Sequence, residues 1–346
     1  MTYRWASSSR NLFAASVIAR HLNMASAAID LETALDAMHA AVLAMLPPTL
    51  LDLADLKACR AQLDMVLGAT PVPPMPDNVT ISEVQVPGFD GDPDVRVKLY
   101  TPADLPAAAP ALVWIHGGGM VLLAADGDDF KCATYADTFG CLVASVDYRL
   151  APETPAPGLV HDCYSALRFV ADNASELGIN ADRIVIGGAS AGGGLAAGTA
   201  IFARDQGGPA PSAQFLVFPM LDHTNTTTSS HAIHDTRVWN RAANLIAWEA
   251  YLGGQAPTPY SSPATCEDLS GLPPAYINVG TFDMFMDEDI AYATALNQAG
   301  VACELHVYPG AFHGSQGFVA EHPMSQRWVA DEDAFLARAL NGTTGH

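Results

Sequence analysis

IVIGGASAGGG, residues 184–194, decides how the rest of the chain is read. A short apolar run ends in Gly188-Ala189-Ser190-Ala191-Gly192, which fits G-x-S-x-G. A helix-compatible stretch, Leu195–Arg204, follows. Strand, sharp turn and helix are the setting in which this pattern lifts a serine onto strained backbone at the top of a sheet. Side chains at 188 and 192 would clash in so tight a turn. The competing reading is a glycine-rich phosphate loop. A P-loop needs Gly-Lys-Ser/Thr, and there is no lysine here. A dinucleotide fold needs an acid ending the next strand, whereas Asp205 ends a helix. Ser190 is therefore the candidate nucleophile, and the helix N-terminus beyond it favours developing negative charge.

A nucleophilic serine needs a base and an orienting acid. On a sheet of this kind they follow in the order Ser, Asp or Glu, His. The strand-like PAYINVG (274–280) leads into TFDMFMDED (281–289), where Asp283 is the first carboxylate past the strand. Asp287, Glu288 and Asp289 suit a helix start. ELHVYPG (304–310) leads into AFHGSQGF (311–318), which puts His313 in the loop just beyond a strand. His306 lies on the strand itself and reads as packed or at the surface. Acyl transfer also needs N–H groups aimed at the developing oxyanion. LVWIHGGGM (112–120) offers His116-Gly117-Gly118-Gly119 directly after a strand. Gly117, Gly118 and Ala191 are the expected donors.

Around these motifs, short apolar runs typical of buried parallel strands recur at 111–115, 141–146, 184–186, 215–218, 275–279 and 305–308. Helical stretches such as 163–173 and 290–299 separate most of them, so the expected class is α/β, with helices on both faces of the sheet. TISEVQVPG and VRVKLYTP alternate like a hairpin pair. Residues 1–75 read as helical. Leu31, Leu35, Met38, Val42 and Met45 mark one apolar helix face that Pro47-Pro48 stops, and a second helix runs near 50–67. TPVPPMPDN is a proline-rich link. Residues 221–255 interrupt the alternation with a polar Thr/Ser tract (224–230) and a helix near 240–252, as an insertion over the carboxyl edge of the sheet would. The expected organisation is an N-terminal helical cap segment (1–75), core (76–220), cap insertion (221–255) and core again (256–346).

Half the residues are hydrophobic and 15% are charged, which suits a well-buried body rather than a disordered chain. The formal charge of -21 sets aside nucleic acid and anionic membrane surfaces as partners. No run of about 18 apolar residues occurs, so stable membrane insertion is not expected. The six cysteines form no C-x-x-C pair and indicate no metal site; their scatter fits a reducing, cytoplasmic compartment. Residues 1–29 carry Arg4, Arg10 and Arg20, several serines and no acid, as transit peptides do. The apolar stretch 12–19 is short for a secretory core, and the segment reads as an amphipathic helix of the mature protein.

Taken together, the motifs resemble the hormone-sensitive-lipase family of α/β-hydrolases, family IV among bacterial esterases. They are His116–Gly119, Asp147-Tyr-Arg-Leu-Ala-Pro-Glu153, Gly188–Gly193, Asp283 with Asp287-Glu288, and His313-Gly314. The resemblance runs from about residue 80 to the end. It implies an α/β-hydrolase fold with a mostly parallel eight-stranded sheet and a helical cap. It implies a carboxylesterase acting on short- to medium-chain esters, no cofactor, and a chain that forms homodimers as family members often do. It also implies that Arg149 and Glu153 brace the oxyanion loop. Two positions depart from the pattern. Ala189 stands where the family usually carries an acid that supports the elbow. Ser315 stands where a phenylalanine commonly follows His-Gly.

Other readings stay open at this level. The same triad serves amides, lactones or carbamates, and a relative that lost catalysis would bind without turnover. A metallohydrolase would use His223, His231, His234 and Asp235, which fall in a tract that reads as solvated. Asp162 reads as a helix-start acid. Trp239, Trp248 and Tyr251 either line an acyl pocket or pack the cap. Met24, Met38 and Met45 read by default as helix packing.

Overall fold

The computed structural model describes residues 28–69 and 72–342. The helix expected over 1–29, with Met24, lies outside them except for residues 28 and 29. Eight strands form one sheet: β1 (Val79–Val86), β2 (Val95–Pro102), β3 (Ala109–Ile115), β4 (Leu142–Asp147), β5 (Ile179–Ala189), β6 (Ala213–Val217), β7 (Ala275–Phe282) and β8 (Cys303–Phe312). Their order is β1-β2-β4-β3-β5-β6-β7-β8. β1 pairs with β2, and β2 with β4, antiparallel; every later pairing is parallel. All seven residues of β3 and all five of β6 are buried. Strands hidden on both faces carry continuous apolar runs rather than alternation. β1, at the sheet edge, is mostly exposed.

The helices that cover the sheet are α4 (Asp129–Phe139), α5 (Gly158–Asp172), α6 (Ala191–Gln206), α8 (Met286–Gln298) and α10 (Pro323–Leu340). Packed rings tie them to the strands. Phe215 of β6 lies 5.5 Å from Tyr276 of β7 and 6.1 Å from Phe335 of α10. A short helix, α9 (Ser315–Phe318), follows β8, and α7 (Arg241–Leu252) lies between β6 and β7. No helix among the described residues is long and apolar enough to cross a membrane.

The N-terminal segment departs from the single apolar face expected. It forms α1 (Leu31–Ala34), α2 (Ala37–Met45) and α3 (Leu56–Ala69). Leu35 is extended, and the Asp36 carboxylate accepts the amides of Met38 and His39, capping a new helix. A good N-cap residue overrides the periodicity here. The buried face is Leu31, Leu35, His39 and Leu43, whereas Met45 is 75% exposed and Met38 also faces out. The segment is bonded to residues between β6 and α7. Ile29 N–H donates to Ala232 O at 2.8 Å and Leu51 N–H to Thr236 O at 2.9 Å, and Arg237 pairs with Glu32 at 3.1 Å.

Candidate active site

Ser190 sits between β5 and α6 with φ 58° and ψ -120°. Such backbone is costly for a residue with a Cβ and persists only where its surroundings hold it. Ser190 N–H donates to Val217 O at 2.8 Å, and Ser190 O accepts Gly194 N–H at 3.0 Å and Met220 N–H at 2.9 Å. These backbone bonds hold the elbow although Ala189 brings no carboxylate. A Cβ on Gly192 would stand 2.0 Å from Ile115 O, so only glycine lets α6 start this close to the end of β3.

His313 follows β8 directly, and Asp283 follows β7. His313 Nε2 lies 3.0 Å from Ser190 Oγ, and His313 Nδ1 lies 2.7 Å from Asp283 Oδ2. Asp283 Oδ1 accepts Phe285 N–H at 3.0 Å, which fixes the carboxylate in a fully buried position. With Nδ1–H donating to Asp283, Nε2 keeps its lone pair for the serine hydroxyl. The His313 ring is held between Phe218, 4.6 Å away, and Phe285, 5.2 Å away. These rings pack the base where Ser315 stands in place of the family's phenylalanine; Phe318 is 51% exposed.

Two of the three expected donors, Gly117 and Ala191, border the serine, and Gly118 follows Gly117 in the same turn. A Cβ on Gly117 would lie 3.5 Å from Ser190 Cβ, and Ala191 opens α6, where an amide has no acceptor within the helix. Gly118 has φ 108°, and its carbonyl accepts Val121 N–H at 3.1 Å and Leu122 N–H at 2.8 Å. Tyr148 donates its hydroxyl to His116 O and Gly117 O, at 3.0 and 3.2 Å, and its ring stacks on His116 at 4.2 Å. Burial pushes the His116 imidazole below its ordinary range, which keeps it neutral. The arrangement can hold a carbonyl carbon at Ser190 Oγ, accept the hydroxyl proton on His313 and receive an oxyanion at backbone amides.

The chain matches the family described as having the alpha/beta hydrolase fold over residues 112–317. It is 37% identical over 268 residues to Carboxylesterase NlhH of Mycobacterium tuberculosis, covering 75% of this chain and 83% of that one. The chain belongs to the α/β-hydrolase family. As an α/β-hydrolase of the hormone-sensitive-lipase type, it is also similar to an ethyl acetate hydrolase of Pseudomonas putida, at 33% identity over 67% of this chain and 74% of that one. Among solved structures it resembles a bacterial heroin esterase, with a TM-score of 0.85 and 42% identity over 90% of this chain and 99% of that one.

Several neighbouring residues of this α/β-hydrolase take places that differ from the expectation. Asp162 lies inside α5, fully buried, and accepts Arg149 N–H at 2.9 Å and Arg149 Nη2 at 2.7 Å. It is an ion-pair partner rather than a helix-start acid, and Arg149 therefore reaches α5 rather than the oxyanion loop. Trp239 packs on that loop: a Cβ on Gly119 would stand 2.0 Å from its ring, and its Nε1 donates to Asn244 at 2.9 Å. Trp248 and Tyr251 are buried too. The Thr/Ser tract is solvated at Thr224, Thr226 and Thr228 and anchored at its end. Ser229 Oγ donates to Met284 O and its N–H to Asp287, both at 2.8 Å.

Of the residues weighed for a metal, His223 bonds Ser262, His234 bonds His231 O and Asp235 holds Arg237. Another trio, Asp36, His39 and His322, lies close enough to share an ion among the described residues. There His322 Nδ1 accepts Met324 N–H at 3.1 Å. That leaves the ring proton on Nε2, which stands 3.6 Å from Asp36 Oδ2, and the His322 ring packs edge-on against His39 with centroids 4.7 Å apart, so the trio joins α2 to the start of α10 by ring and charge contact.

Sequence reasoning placed Glu288 at a helix start, where the first turn of α8 has it, but missed what its carboxylate holds, and it missed Arg60 altogether. Glu288 is buried, and its Oε1 accepts Leu221 N–H at 2.8 Å and Asp222 N–H at 3.1 Å. Its place beside Asp287 in the motif was the available signal. Arg60 had none: it is a lone arginine in a helical segment.

Proposed function

We propose that this chain, a carboxylic ester hydrolase of the α/β-hydrolase family, cleaves short- to medium-chain esters of small alcohols through an acyl-enzyme on Ser190. His313, oriented by Asp283, takes the Ser190 proton as Oγ attacks the ester carbonyl. The amides of Gly117, Gly118 and Ala191 receive the oxyanion. His313 then protonates the departing alcohol, and a water molecule activated by His313 releases the acid. The mechanism calls on no cofactor. The N-terminal segment and residues 221–255 act as a cap over the site, and the free cysteines fit a cytoplasmic setting.

The observation that carries this reading is the relay from Asp283 Oδ2 to His313 Nδ1 at 2.7 Å and from His313 Nε2 to Ser190 Oγ at 3.0 Å. The ethyl acetate hydrolase relative supports the small-ester preference. Initial rates on p-nitrophenyl esters from acetate to palmitate test it. Turnover should fall steeply beyond the medium-length acyl chains and vanish in Ser190→Ala. Sustained turnover of palmitate, or activity in Ser190→Ala, would overturn it.

A further inference from the structure

The loop that follows β3 is unusually strained. Gly118, Gly119, Met120 and Leu123 all have positive φ, at 108°, 60°, 66° and 69°. Met120 and Leu123 carry side chains that disfavour this backbone, so the surroundings must hold the loop in shape. Part of the hold comes from the core, through the Tyr148 hydroxyl and through Ala151 N–H, which donates to Met120 O at 2.9 Å. The rest comes from outside the sheet. Arg60, on α3, sends Nε to Val121 O at 2.8 Å and Nη2 to Ala151 O at 2.9 Å. Its Nη1 and Nη2 also grip Glu153 at 2.7 and 3.0 Å. One planar guanidinium thus joins the loop, the segment after β4 and the N-terminal segment. A lysine, with one compact ammonium, cannot match that fork.

We infer that Arg60 is a positioning residue for the oxyanion hole, and that through it the hole takes its active shape only when α3 is docked on the core. This rests on the assignment of Gly117 and Gly118 as oxyanion donors. Arg60 touches no reacting atom; it sets the carbonyls of Val121 and Ala151, and so the turn that aims the two glycine amides. Glu153 keeps the fork in register. Loss of the fork lets the strained turn relax, and the cost falls on the transition state rather than on substrate binding.

The test compares Arg60→Ala and Arg60→Lys with wild type on p-nitrophenyl acetate, with Arg237→Ala as a control that loosens the link to the insertion without touching the loop. Arg60→Ala should lower kcat by roughly ten- to a hundredfold, less than loss of an oxyanion donor itself, with KM within about twofold. Arg60→Lys should fall between. Binding of a trifluoromethyl ketone, which forms a tetrahedral adduct, should weaken by the factor that kcat/KM loses. Added guanidinium ion should restore part of the rate in Arg60→Ala and none in Arg237→Ala. Unchanged kcat in Arg60→Ala, a loss confined to KM, or an equal loss in Arg237→Ala overturns the inference. Residual activity in Ser190→Ala would instead overturn the acyl-enzyme reading on which it stands.

Discussion

Ser190 Oγ and His313 Nε2 stand 3.0 Å apart although 123 residues separate them in the chain. The contact exists because β5 and β8 run parallel in one sheet and end at the same edge, each giving its first following residue or turn to the site. Ser190→Ala should lower kcat by at least about 10⁴-fold, with the far-ultraviolet spectrum and the melting temperature unchanged. Rates measured on p-nitrophenyl acetate, beside circular dichroism, check this; a smaller loss would mean that another nucleophile carries the reaction.

Asp283→Asn tests the orientation of the base. The amide would offer an N–H or a carbonyl to His313 Nδ1, and the first of these flips the imidazole tautomer so that Nε2 carries the proton. A loss on the order of 10⁴-fold in kcat is expected near neutral pH. A variant retaining a tenth of the wild-type rate would show that Asp283 is not the residue that orients His313.

Glu288 holds the segment that leaves β6. Burial raises its carboxyl well above the usual carboxylate range, and its Oε1 accepts two backbone amides. Glu288→Ala strands both N–H groups and should cost on the order of 3 kcal/mol. Glu288→Gln keeps the acceptor and should cost far less. Urea unfolding of the two variants distinguishes them. Equal losses would mean that the charge, rather than the acceptor, matters at this position.

How much of this could be read from residues alone follows the range of the interactions. The sheet strands and the Ser190, Asp283 and His313 trio were legible, because buried parallel strands write themselves as apolar runs and each site residue lies one step beyond such a run. The N-terminal helix was legible only as helical. Asp36 capping splits it, and the burial of His39 in place of Met38 depends on what α2 meets in three dimensions. Asp162 looked like a helix-start acid because sequence shows only its neighbours, while its partner, Arg149, arrives from the turn after β4. Arg60 was invisible for the same reason: its acceptors lie 61 and 91 residues away.

Glu332 carries a pH signature. It is buried on α10, accepts from Asn278 Nδ2 and Trp328 Nε1, both at 2.8 Å, and burial raises its carboxyl from 4.5 to about 7. Below about pH 4.5 the group is protonated in both the folded and unfolded chain and adds no slope. Between there and about pH 7 the unfolded chain releases the proton while the folded chain keeps it, so this group lowers stability as pH rises. Glu332→Gln lacks that slope. Its stability relative to wild type should therefore rise between those values by on the order of 3 kcal/mol and then level off. Urea unfolding of both proteins across pH 4.5 to 8 reads the difference, and a difference independent of pH would exclude a raised Glu332.

The Arg149–Asp162 pair is expected to act on stability and not on chemistry. Asp162 is fully buried, with its oxygens committed to the backbone amide and guanidinium of Arg149. Asp162→Ala leaves that amide without its acceptor and Arg149 with the more exposed Asp92, 3.3 Å away. Breaking a buried pair by removing one partner costs about 3–5 kcal/mol, and the partial exposure of Arg149 brings the expected loss to about 2–3 kcal/mol. Asp162→Asn keeps the shape and an acceptor and should lose less. Neither residue touches Ser190, His313 or the oxyanion loop, so the folded fraction of each variant should turn over p-nitrophenyl acetate at the wild-type kcat. A kcat loss in fully folded Asp162→Asn would instead place this ion pair among the supports of the site, and would restore to Arg149 the bracing role that the family motif implied.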